Sequence, residues 1–179
     1  MLNTRKSARA FTLIEAMLVV ILVGILAVVA GLGYRRWVRS SYMGEAQDML
    51  TNIRMAEETF RSENGAYLAT EPSLSVLYPA TTPSEAFKTA WGANPGAWAT
   101  LNVMPSAPVR FGYSVIAGNV APPAEITVNG QSANFASMGG QPWYIAEAVC
   151  DVDNDTTTPP TTIYASSGSN RLLIAHEGN

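Results

Sequence analysis

One cysteine, Cys150, and one histidine, His176, stand in 179 residues, and both scarcities narrow the chemistry open to the chain. A single thiol closes no intramolecular disulfide, so an exported domain built from this sequence must hold its loops by packing, hydrogen bonds or a bound metal. A single imidazole leaves almost no material for a Ser-His-Asp triad or a multi-histidine zinc site. His176 reads as a solvated residue at a strand end, and no constellation of residues supports an enzyme. Charge is scarce as well: 14% of residues are Asp, Glu, Lys or Arg, against roughly 25% in a typical soluble protein. Basic residues are rarest beyond Glu63, where Lys88, Arg110 and Arg171 face eight acids. That part of the chain lacks the basic face that binding to a phosphate backbone needs, which excludes nucleic acid as a partner held through a basic patch. No internal repeat is present.

Apolar length, by contrast, is abundant near the N-terminus. From Ala16 to Tyr34, 19 consecutive residues carry no charge, and Phe11 to Glu15 extend the segment to 24. About 20 apolar residues in a helix cross the hydrocarbon core of a bilayer. A secretory signal is a second reading, with Arg5, Lys6 and Arg9 as its basic region and Val28-Val29-Ala30 as its cleavage site. Against it, the run exceeds the usual length of about 7–15 residues and contains a charge. Flanking charge leaves orientation open, because Arg5, Lys6 and Arg9 on one side are matched by Arg35, Arg36 and Arg39 on the other. Glu15 is the informative residue. A carboxylate near the lipid core costs about 2.5–3.5 kcal/mol on insertion scales, so such groups normally meet a partner. The bland alternative is a shallow Glu15 at headgroup level.

The stretch Arg9-Ala10-Phe11-Thr12-Leu13-Ile14-Glu15-Ala16-Met17, with a short basic leader before it and the apolar run after it, resembles the N-terminal signature of type IV pilins and type II secretion pseudopilins. The resemblance implies cleavage between Ala10 and Phe11 by a prepilin peptidase, N-methylation of Phe11, and a role for Glu15 in filament assembly. The family usually has Gly immediately before the cut, where this chain has Ala10. It also implies a leader, residues 1–10, on the cytoplasmic side of a bacterial inner membrane, one transmembrane and filament-core helix over 11–36, and a periplasmic globular domain over 37–179. The mature chain keeps 8 of its 11 Lys and Arg against 14 acids, a net charge of −6. The partners implied are other pilin subunits, the peptidase and an inner-membrane assembly platform. The amine freed on Phe11 lies one helical turn from Glu15 and can neutralise it within a chain or between neighbours, with Thr12 sharing hydrogen bonds at the same end. Where relatives commonly carry a helix-breaking Pro, this chain has Gly31-Leu32-Gly33, with Gly24 upstream. Each glycine weakens a helix by about 1 kcal/mol, so local melting and close helix–helix contact are both open.

Beyond Arg39 the pattern becomes amphipathic. Val38, Tyr42, Ala46, Met49, Leu50, Ile53, Ala56 and Phe60 recur at spacings of three and four, with Glu45, Asp48, Arg54, Glu57, Glu58 and Arg61 between them. One helix from Phe11 to Glu63, about 80 Å long, is predicted to stop at Asn64-Gly65. The stretch from Phe60 to Tyr67 resembles the end of the pilin helix. Residues 68–108 hold six of the eleven prolines and are predicted to be mostly irregular, anchored by Trp91 and Trp98. Strands are predicted at Val109–Val115, Ile126–Val128, Trp143–Val149, Thr162–Ala165 and Leu172–Ala175. The expected fold class is α+β, a long N-terminal helix whose first half is transmembrane, packed on a C-terminal antiparallel β-sheet as in the pilin fold.

Asp151, Asp153 and Asp155 alternate as the first ligands of an EF-hand do, yet Thr156 and Thr162 stand where that loop needs Gly and Glu. The stretch resembles an acidic turn of some pilins and pseudopilins, so the three aspartates are candidate calcium ligands, with a solvated hairpin turn as the alternative; no other cofactor is expected. The functional expectation is a major or minor pilin. Its competitors are a type II secretion pseudopilin and an exported binding protein or adhesin using Trp91, Trp98 and the 151–155 turn.

Overall fold

Regular structure begins at Thr12. Its side-chain Oγ1 accepts the backbone N–H of Glu15 at 3.3 Å and its carbonyl accepts that of Ala16 at 3.2 Å, the arrangement of a helix N-cap. In the computed structural model the described residues are 11–79, 83–84, 86–93, 96–121, 125–128, 131–135, 138, 140–152 and 159–175. Helix α1 covers Leu13–Asn64 and ends where the sequence predicts. Gly65 takes a φ of 75° and returns its N–H to the Arg61 carbonyl at 2.8 Å, a left-handed C-terminal cap that a side chain would strain.

Contacts divide the chain into two units, Met1–Ser40 and Ser41–Asn179. The described part of the first is helix preceded by two residues, and no other described residue of the unit covers it. Its large apolar side chains from Phe11 to Val29 are all between 47% and 79% exposed.

The second unit is built on a four-stranded antiparallel sheet of order β1-β4-β5-β6, formed by β1 Gly112–Gly118, β4 Trp143–Cys150, β5 Thr161–Ser166 and β6 Ser169–Ala175. A separate antiparallel ribbon pairs β2 Glu125–Val128 with β3 Gln131–Asn134. Ala46, Met49, Leu50 and Ile53 of α1 enter one core with Tyr113, Val115, Tyr144, Ala146, Ala148, Ile163 and Ala165. Trp143, Ile145 and Tyr164 face the other way and pack with Phe135 and Met138. Both faces of the sheet are therefore buried, which explains the nearly unbroken apolar run of β4. Polar contacts pin the helix to this sheet. Arg54 donates from Nη1 and Nη2 to the carbonyls of Asn170 and Ser169 at 2.9 and 3.1 Å, and Glu45 accepts the Arg110 N–H at 2.6 Å.

One predicted strand shifts and two elements are new. The ladder of β1 starts at Gly112 rather than Val109, because Val109 exchanges both backbone hydrogen bonds with Thr89, at 2.7 and 2.9 Å, and the Arg110 N–H is taken by Glu45. The connection 68–108 is mostly irregular as expected, apart from isolated bridges and the four-residue helix α2, Ala97–Thr100. It protects the outer edge of β1. Tyr78 exchanges backbone hydrogen bonds with Tyr113, and the Thr70 N–H reaches the Val115 carbonyl at 2.9 Å, so the edge is not left open for pairing with another chain. Strand β3 was not predicted, although Asn129-Gly130 between β2 and β3 is a two-residue hairpin signal.

Candidate functional site

The residues singled out for processing and assembly lie at the start of α1. Phe11 is 74% exposed and stands with Thr12 just ahead of the first helical residue; Ala10 and the rest of the leader lie outside the described residues. Thr12 has a definite task, since it caps the helix. Glu15 is the third helical residue, so Thr12-Leu13-Ile14-Glu15 is a capping-box sequence. In that position the carboxylate sits by the positive end of the helix dipole, a favourable site for an anion. The same dipole disfavours a cationic amine two residues before the helix, and a nearby carboxylate offsets that cost. Among the described residues Glu15 has no ion-pair partner.

From Leu13 to Gly31 the helix is long and apolar enough, by length and composition, to cross a membrane. At 1.5 Å per residue it measures about 28 Å, close to a hydrocarbon core of about 30 Å. The helix continues through Gly24, Gly31 and Gly33, and a Cβ at any of them would meet nothing within 4 Å. No contact among the described residues therefore requires these glycines. Just past the span, Tyr34 and Trp37 hold their rings 6.4 Å apart. Sequence reasoning overlooked this pair, although its position after the apolar run and its i,i+3 spacing are both legible.

The other candidates resolve differently. Trp98 is fully buried and its indole Nε1 donates to Glu71 at 3.2 Å. Trp91 packs edge-on against it at 5.3 Å. Trp98 is thus a core anchor and offers no surface to a ligand. Asp151 is half-buried, with its backbone N–H on the Pro83 carbonyl at 3.1 Å and its Oδ1 buried without a hydrogen-bond partner among the described residues. Asp153, Asp155 and His176 lie outside the described residues, and among the described residues no three His, Cys, Asp or Glu are grouped to hold a metal ion. Cys150, the single cysteine of the chain, is buried in the core.

Glu57 corrects the sequence reading. Placed among the polar positions, it is completely buried, because it follows Ile53 by one turn and continues the inward stripe. Its Oε2 accepts the Leu68 N–H at 3.0 Å and its Oε1 has no hydrogen-bond partner among the described residues. Burial pushes its carboxyl up to about 7, against the lowering effect of the Leu68 hydrogen bond. Glu147, in the middle of β4, is also pushed up to about 7 by burial. No sequence signal marks it, since it interrupts an apolar strand. Tyr67 closes the helix end: its hydroxyl donates to Glu58 at 2.8 Å and accepts from Arg61 at 2.9 Å.

Residues 5–31 match a family model described as the prokaryotic N-terminal methylation motif, the prepilin-type signature of type IV pilins and pseudopilins. No curated protein and no solved structure is significantly similar to the chain. The chain carries a prepilin-type N-terminus, which implies processing by a prepilin peptidase, joined to an α+β unit.

Proposed function

We propose that the chain is a structural subunit of a type IV pilus-like filament. It is made as a prepilin in the inner membrane, cut between Ala10 and Phe11, N-methylated on Phe11 and assembled through the apolar half of α1. The observation that carries this reading is the methylation motif at 5–31, which runs into a helix starting at Leu13 whose apolar side chains are exposed all round as far as Val29. Such a surface, 19 residues long from Leu13 to Gly31, has to be covered by lipid or by other copies. A filament subunit uses both covers in turn. The leader stays cytoplasmic and the unit from Ser41 onward is exported. Glu15 supplies the carboxylate that meets the new amine, of its own chain or of the subunit added next, so that only the correct axial register leaves no charge unpaired.

Mass spectrometry of the membrane-extracted protein tests the reading. A chain beginning at a singly methylated Phe11 is expected. A chain beginning at Gly31 would mean cleavage as an ordinary secretory signal and would overturn it. A pseudopilin of type II secretion would have the same N-terminus. The buried Oδ1 of Asp151, without a hydrogen-bond partner among the described residues, is a hard oxygen of the kind calcium takes and is compatible with either reading.

A further inference from the structure

Immediately beyond the span, Tyr34, Arg35, Arg36, Trp37 and Arg39 fall within six residues. Tyr34 and Trp37 are 66% and 69% exposed, and their rings face one another across 6.4 Å at an angle of 35°. With 3.6 residues per turn, positions 35 and 36 lie roughly 130° from the aromatic pair, one to either side, and position 39 is almost opposite it. Aromatic residues on one side and cationic positions on the other make a collar around the helix instead of a face along it. Before assembly a single protein partner would dock on one face, whereas a layer of headgroups touches a lone subunit's helix from every side. The rise per residue puts these positions about 5 to 12 Å beyond Gly31, and the headgroup region of a bilayer is roughly 5 to 8 Å thick on each side. Aromatic rings with a polar edge settle at that level, and arginine matches phosphate with a planar fork of donors.

We propose that this collar binds the phospholipid headgroups of the leaflet through which the chain leaves the membrane, and so fixes the depth of the subunit before assembly. The proposal rests on the membrane-inserted reading above. It also accounts for three arginines on the exported side, which the positive-inside pattern does not require. Their phosphate contacts resist withdrawal of the helix in either direction until assembly replaces them.

The test uses the full chain in vesicles of phosphatidylcholine, alone or with phosphatidylglycerol, carrying lipids brominated at graded depths. Trp37 is isolated by subtracting the emission of Trp37→Phe, and amide exchange of residues 13–31 is followed in the same vesicles. The expected result is strongest quenching of Trp37 by the shallowest bromines. Replacing Arg35, Arg36 and Arg39 by Gln should speed transfer of the chain out of phosphatidylglycerol vesicles by roughly fivefold per arginine, with a smaller effect in phosphatidylcholine alone. Protected amides with Trp37 untouched by any bromine would overturn the collar and leave the inserted subunit standing. Freely exchanging amides would overturn both. Emission from Trp37 that follows protein density in place of bromine depth would also overturn the proposal, assigning the aromatic pair to contact with a second copy.

Discussion

Replacing Glu57 by Gln should stabilise the globular unit at pH 8 and change little at pH 5. Glu57 is buried on the inward stripe of α1 and its carboxyl is raised from 4.5 in the unfolded chain to about 7 in the fold. A raised carboxyl means that the folded chain binds the proton more tightly, so stability is full below about pH 4.5 and falls as pH rises to about 7. At 1.36 kcal/mol per pH unit, the window of about 2.5 units corresponds to roughly 3 kcal/mol lost on ionisation. Gln keeps an acceptor for the Leu68 N–H but also puts an amide nitrogen into a buried place, so a gain of about 2–3 kcal/mol at pH 8 is expected. Glu147 is raised to about 7 as well, and Glu147→Gln should remove the other half of the slope. The tyrosines raised by burial titrate above this range. Urea unfolding of the detergent-solubilised chain, followed by the emission of buried Trp98, measures the effect. The reasoning is refuted if Glu57→Gln shifts stability equally at pH 5 and pH 8, or if wild-type stability rises across that window.

Three further outcomes follow from the same structure. Glu15→Ala should leave the globular unit intact and lower filament incorporation about tenfold or more, since an unpaired amine in a buried contact costs about 3–5 kcal/mol; incorporation at the wild-type level in a filament immunoblot would remove the role given to Glu15. Gly118→Ala places a Cβ 2.6 Å from the buried ring of Trp143 and should destabilise the unit by about 1–3 kcal/mol, read as a lower urea midpoint with unchanged slope; an unaltered midpoint would show that the ring can shift freely. Calcium at millimolar level should raise the thermal midpoint of the chain, with Asp151→Asn abolishing the rise, if the aspartates at 151, 153 and 155 hold the ion; a midpoint indifferent to calcium and to chelator excludes that site.

The helix was legible because each of its signals is local. Thr12-Leu13-Ile14-Glu15 is a capping-box sequence, the run from Ala16 to Tyr34 carries no charge, the inward residues recur every three or four positions, and Gly65 ends the helix. Strands β4, β5 and β6 were legible from β-branched and aromatic runs, and β3 was overlooked because Gln131-Ser132-Ala133-Asn134 lacks such residues. Non-local partners moved the start of β1: no pattern in the sequence announces that Thr89 takes the backbone of Val109 or that Glu45 takes the N–H of Arg110. Glu57 was misread because its residue type outweighed its spacing.

Local chemistry in the sequence alone determined a prepilin-type N-terminus, a span of apolar helix and an α+β order of elements, since capping, periodicity and a short recognition motif need no distant partner. Only the tertiary structure decided that Trp98 belongs to the core, that both faces of the sheet are covered, that the 68–108 connection seals the edge of β1, and that Glu57 and Glu147 carry displaced protonation. Each of these depends on which residues, far apart in sequence, exclude water from one another.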